Sequence, residues 1–220
     1  MSTAGGTAVV KEIQTDWDYG YKISNVYVKD DLKTLMFSST IPTLTDFYGV
    51  DSFARCRNGC PVTPNEYCRC GFNAWHDDDI ALLYLVDKWR RRYELRADSM
   101  VMQRVGLCGR VFEGTMDAAE WTYWGYRAAQ QRVLDVFFGP LCMYVWDCCR
   151  EAVYLGAFGN AHDPRRKEHL RKLKPVCDMH MSAARDILDP GRLSDYNHVG
   201  IDWHYPSEYR YGTFIQTRPS

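Results

Sequence analysis

YRAAQQRVLDVFF, residues 126–138, is the stretch on which the fold class turns. Tyr126, Ala129, Val133, Val136 and Phe137 fall at the spacing of one helix face, and Gly139-Pro140 stops the run as glycine and proline stop helices. The spacing predicts a helix. Just upstream, Val101 to Glu113 reads as a strand, with Val101, Val105, Leu107 and Val111 sharing a face with Gln103 and Gly109. Cys108 points the other way and reads as a small packing residue.

Working outward, Tyr21 to Phe37 reads as a hairpin turning near Lys29-Asp30-Asp31, preceded by a loose leader over 1–16. Asp77-Asp78-Asp79 leads a helix whose stripe is Leu82, Leu85, Val86, Trp89 and Tyr93; the aspartates suit its N-terminus by capping and by the helix dipole. They make no calcium loop, since neither the turn glycine nor the closing glutamate is present. A third helix is expected over Val176 to Leu188, ended by Asp189-Pro190-Gly191. Strands and helices in this mixture predict an α+β fold. The expected organisation is a small mixed domain stabilised by zinc over 1–140, followed by a zinc-knuckle-like subdomain and tail over 141–220.

The chain of 220 residues is 46% hydrophobic and 14% aromatic, which suits a folded protein rather than a disordered one. A formal net charge of -1 argues against a bulk cationic nucleic-acid binder. The longest apolar runs, Ile80 to Val86 and the Gly139-Pro140-interrupted Val136 to Trp146, are too short to span a bilayer. With no signal-peptide core at the start, the expected location is cytoplasmic, in a bacterium or a host cell. Nine cysteines in a reducing compartment point to metal before disulfides, which remain the alternative.

Four of the nine lie in ARCRNGCPVTPNEYCRCGFNAW, residues 54–75, as C-x3-C-x7-C-x-C: Cys56, Cys60, Cys68 and Cys70. Zinc takes four thiolate or imidazole donors in a tetrahedron. An extended C-x-C directs both sulfurs one way, and Gly71 after it permits a tight turn. Four thiolates on one Zn²⁺ carry two excess negative charges, which the interleaved Arg55, Arg57 and Arg69 could offset. His76 is a spare donor, though an ordinary residue leading the following helix is the plainer reading.

A second set comes from LCMYVWDCCREAVYLG and LKPVCDMHM. Cys177 and His180, three apart, form a half-site; Cys142 with Cys148 or Cys149 supplies the other half, and the spacing leaves open which of the adjacent pair points inward. Between them, six of the ten residues 165–174 are basic: Arg165, Arg166, Lys167, Arg171, Lys172 and Lys174. They could contact phosphate, though a solvated helix face or loop is the plainer reading. Trp121, Trp124 and Tyr126 could stack bases, but with little basic flank they read as core.

The succession GYK, ARC, P-x3-CRCGFNAW, RVGLCGRVFEG, WGYRA and PVCDMH resembles a group of uncharacterised actinobacterial and actinobacteriophage proteins with a Cys-x-Cys-Gly core and a C-terminal Cys-x2-His element. The resemblance covers roughly residues 20–135, and separately 142–180. It brings no assigned activity. Members often carry Trp at the position of Cys108, which fits packing there, and His near Cys60, which fits a metal ligand. This chain lacks their C-x2-C before Ala152.

No G-x-S-x-G, H-E-x-x-H or phosphate-binding G-x4-G-K-[ST] occurs. PVCDMH is similar to half of a zinc-deaminase motif, but no H-x-E accompanies it. The expected function is a zinc-stabilised interaction protein, carrying one or two zinc ions, phage-encoded and directed at a host protein. A nucleic-acid binder using 165–174 and a zinc-dependent hydrolase or deaminase are the alternatives.

Overall fold

The computed structural model describes residues 9–31, 34–39, 47–65, 67–68, 70–78, 81, 100–118, 121–138, 142–145, 148, 150, 152–163, 168–188 and 202–204. These residues form eleven strands of one sheet: β1 (Val9–Lys29), β2 (Leu35–Ser39), β3 (Phe47–Tyr48), β4 (Asp51–Phe53), β5 (Phe72–Trp75), β6 (Met100–Ala118), β7 (Trp121–Phe137), β8 (Tyr154–Asp163), β9 (Glu168–Val176), β10 (Asp186–Leu188) and β11 (Asp202–His204). A 3₁₀ turn, Asp178–Ala183, follows β9.

The frame is three long strands. β1 pairs antiparallel with β6, and β6 with β7. β5 pairs with β7 along its length and meets β1 at Tyr21 and Trp75, so β1, β6, β7 and β5 close a ring. Gly20 permits the closure: a Cβ there would stand 2.8 Å from the Ala74 Cβ and 3.0 Å from the Trp75 carbonyl oxygen. β9 joins the other end of β1, and β8 and β10 follow it. The core runs through both parts of the sheet, from Val26, Phe37, Val105, Leu107 and Val133 to Leu155, Ala157 and Leu173. Burying each of the Val, Leu and Phe side chains among these stabilises the fold by about 1.5–3 kcal/mol.

The fold is therefore mostly β, and the α+β expectation is corrected at its deciding stretch. Residues 126–137 belong to β7, not to a helix. Burial alternates at Tyr126 and Ala128, slips, resumes at Gln131, Val133 and Asp135, slips again, then resumes at Val136 and Phe138. The two slips fall at or beside register shifts against β6, between Cys108/Val111 and between Arg104/Val105. Bulges break a period of two into short phases, and the joined phases imitate a period near 3.6. Ala129, expected on the buried face, is half-exposed.

The helix expected over Val176 to Leu188 is also replaced. β9 ends at Val176, the 3₁₀ turn occupies Asp178–Ala183, and Asp186–Leu188 returns as a strand. Residues 9–16 of the expected leader are part of β1. The hairpin over 21–37 is present, with Val28 opposite Leu35, and Val101 to Glu113 lies within β6. The helix expected to carry Leu82, Leu85, Val86, Trp89 and Tyr93 lies outside the described residues. Among the described residues no helix is long and apolar enough to cross a membrane.

Candidate metal centres

Two groups of four donors converge, each with all its donor atoms within 4.8 Å of one another, and each could hold a metal ion. The first is Cys56, Cys60, Cys68 and Cys70, in the loop between β4 and β5. The second is Cys142, Cys148, Cys177 and His180. The eight described cysteines are free thiols. Cys149 lies outside the described residues, and Cys148 is the one of the adjacent pair placed in the cluster.

The first loop is shaped by backbone turns. The Gly59 N–H donates to the Cys56 carbonyl, and the Cys68 N–H to the Asn65 carbonyl. Gly71 turns the chain into β5 with φ +117°, where a side chain is strained; a Cβ would also lie 3.0 Å from the Pro64 Cβ and 3.2 Å from the Ala128 carbonyl oxygen. The Cys56 and Cys68 sulfurs are 3.6 Å apart, and the Asn58 amide donates to Cys68 Sγ at 3.5 Å.

Arg55 and Arg57 are exposed, and Arg69 lies outside the described residues. The arginine that grips the loop is Arg127 of β7. It donates to the carbonyls of Asn65, at 3.3 Å, and Cys68, while its guanidinium lies over the Phe112 ring. No local spacing announces this contact, because 59 residues separate Arg127 from Cys68. His76 is not among the converging donors; its ring stacks on Tyr126, which is itself buried as expected. The side chains of Trp121 and Trp124 lie outside what is described.

The thiols do not ionise alike. The Cys60 backbone N–H, assisted by the neighbouring thiols, lowers Cys56 to about 6. Hydrogen bonding to Cys56, then burial and the other sulfurs, pushes Cys60 up to about 12, and burial raises Cys70. Four sulfurs packed this closely resist carrying four negative charges, and a divalent cation removes that resistance.

The second group sits where β9 ends. The His180 N–H donates to the Cys177 carbonyl, so one tight turn presents both side chains. His180 Nδ1 lies 3.3 Å from Cys177 Sγ and 3.4 Å from Cys142 Sγ, and the Cys148 and Cys177 sulfurs are 3.9 Å apart. Backbone contacts seat the first half: the Met143 N–H donates to the Pro175 carbonyl and the Cys142 N–H to that of Arg150. The Tyr144 ring lies against His180 and Phe158. Burial pushes Cys142 up to about 11. At Cys177 burial acts upward too, but the N–H groups of His180 and Met179 and the thiol of Cys142 outweigh it and lower the thiol.

The basic stretch is placed in part. Arg165, Arg166 and Lys167 lie outside the described residues. Arg171, Lys172 and Lys174 belong to β9, a strand rather than a helix face or loop. Arg171 is paired with Asp30 and Asp186, and the Lys174 ammonium lies 5.6 Å from the Phe158 ring centre. Cys108 is half-buried on β6 and donates to Gln130 Oε1 at 3.1 Å.

Comparison of the chain with protein-family models, with curated proteins and with solved structures returned no significant match.

Proposed function

We propose that this protein is a zinc-stabilised interaction protein, with one structural Zn²⁺ in each cluster and a protein partner. The observation that carries the metal is the spacing of the donors. Tetrahedral zinc with sulfur at 2.3 Å sets sulfurs about 3.8 Å apart, and sulfur and imidazole nitrogen about 3.6 Å apart. The separations here are 3.6 and 3.9 Å for sulfur pairs, and 3.3 and 3.4 Å for sulfur–nitrogen pairs. A disulfide would need about 2.05 Å. Thiolates with one imidazole favour zinc over calcium or magnesium, which take oxygen. Four protein donors per site fill the tetrahedron and leave no position for water or substrate, the structural rather than the catalytic arrangement.

The interaction role is supported by what the metal loops display. Phe53, Val62 and Tyr67 are exposed around the first cluster, and Tyr144, Val153, Met179 and Met181 around the second. Tyr67 is 91% exposed and Met179 62%. Large apolar side chains exposed to solvent suit protein recognition. A nucleic-acid role is supported less, since Arg171 is engaged by two carboxylates and the net charge is -1.

Elemental analysis of protein purified without chelator should find two zinc ions per chain. Metal-free protein with all its thiols reactive under native conditions would overturn the metal assignment. For the partner, replacing Tyr67, Met179 and Met181 with Ser should abolish association with the cognate protein while both zinc ions stay bound. A wild-type protein that instead shifts on DNA or RNA with steep salt dependence would reverse the choice of partner.

A further inference from the structure

Away from both clusters, the ring of β1, β6, β7 and β5 holds a polar group in its interior that the zinc reading does not use. Lys22 is half-buried on β1, directly opposite Gln103 of β6. Its ammonium donates to Gln131 Oε1 at 3.0 Å and lies 4.7 and 5.3 Å from the ring centres of Tyr48 and Phe72. Ser24, Gln103 and Gln131 are fully buried. The Tyr48 hydroxyl donates to Gln103 Oε1 at 3.3 Å, and Ser24 and Gln131 lie close enough to influence its ionisation.

The accounting of donors does not close. Gln103 Nε2, Gln131 Nε2 and the Ser24 hydroxyl have no hydrogen-bond partner. Turning Gln131 over would set its NH₂ against the ammonium; turning Gln103 over would trade an orphan donor for an orphan acceptor. An unpaired buried polar group is costly, and three lie here beside a cation. Burial is what lowers Lys22, to about 7, with no charged partner acting on it. The titratable group facing it is Tyr48, which burial drives upward and so keeps neutral.

We infer that Lys22, Ser24, Gln103 and Gln131 form a binding site for a small carboxylate monoanion. Each of the four offers at least one hydrogen to a group that only accepts. A carboxylate supplies two oxygens with about four acceptor positions, matching the ammonium, two amides and one hydroxyl. One negative charge balances one ammonium, whereas a dianionic phosphate would leave a buried excess charge.

The test uses the zinc-loaded full chain and formate as the probe, with ionic strength held constant by gluconate, a much bulkier anion. The wild-type melting midpoint should rise saturably with formate. The Lys22 amine, followed by NMR of isotope-labelled lysine, should move up from about 7 toward its ordinary 10.5 as formate saturates, because a bound anion favours the ammonium. Lys22→Met should abolish the response, and Gln103→Met should weaken formate binding by about tenfold. Should Lys22→Met fail to fold, Gln103→Met and the wild-type amine titration still decide. A midpoint and an amine that ignore formate mean the group holds only water and overturn the inference. So does a formate response retained in Lys22→Met, or a response to phosphate but not to formate.

Discussion

Cys56, Cys60, Cys68 and Cys70 are all half-exposed in a loop that hangs on the sheet, whereas Cys142, Cys148 and Cys177 are buried inside it. Around the first cluster Val62 and Tyr67 face solvent, and the loop is held by Arg127 and by the seat of Gly71 on β7. Around the second, the three sulfurs pack with Val176, against Val145, Tyr154, Phe158 and Ile187. The donor counts are equal, but the surroundings differ. A metal in the first site would be the whole core of its loop. A metal in the second would be one member of a hydrophobic core that also anchors the end of β9. Loss of the first should be felt locally, and loss of the second throughout the sheet.

The largest effect is expected for Cys177→Ser. Structural zinc supplies on the order of 10 kcal/mol in small modules, comparable with the stability of a whole domain. Here the change also leaves a buried hydroxyl among sulfurs. The melting midpoint should fall by about 10 °C or more, with one zinc ion lost. Calorimetry and metal analysis measure both.

Cys70→Ser should also cost one zinc ion but lower the midpoint by only about half as much. Its mark should be rapid proteolysis within residues 54–71 while hydrogen exchange in β6 and β7 stays slow. If Cys70→Ser lowers the midpoint as far as Cys177→Ser, the local-against-global contrast is broken.

Gly71→Ala sharpens the contrast without touching a donor. A side chain at φ +117° in that crowded seat costs about 1–3 kcal/mol. Zinc should leave the first site faster under a competing chelator, with the second unchanged. Equal release rates from both sites would show that the seat on β7 does not hold the loop.

The smallest effect belongs to Cys108→Ser. Cys108 is not in either cluster, and its sulfur already donates to Gln130. A serine hydroxyl can keep that bond, so thermal melting should show a change below about 1 kcal/mol, with both zinc ions retained. A zinc ion lost from this variant would place Cys108 in a metal site.

How much was legible follows the range of each interaction. The first cluster could be read directly, because its four donors fall within fifteen residues and their spacing is local. Cys177 and His180 were legible for the same reason. That Cys148 joins them was not legible, since it depends on how the chain at Cys142 and Met143 is seated against β9. The unpartnered amides Gln103 and Gln131 gave no signal, because glutamine in a strand is ordinary until the far strand is known.

The sequence by itself determined the first donor set, the Cys177–His180 half of the second, the β1–β2 hairpin and the strand over 101–113, all of which rest on contacts or alternation within a short window. Only the tertiary structure decided that residues 126–137 are a strand. Their burial is written by the pairing with β6, whose register shifts reset the phase of alternation twice, and a one-dimensional pattern does not record where one strand of a pair gains a residue on the other. Arg127 gripping the first loop, the ring that buries Lys22, and the burial of one cluster beside the exposure of the other were decided in the same way. Each depends on strands distant in the chain meeting in register.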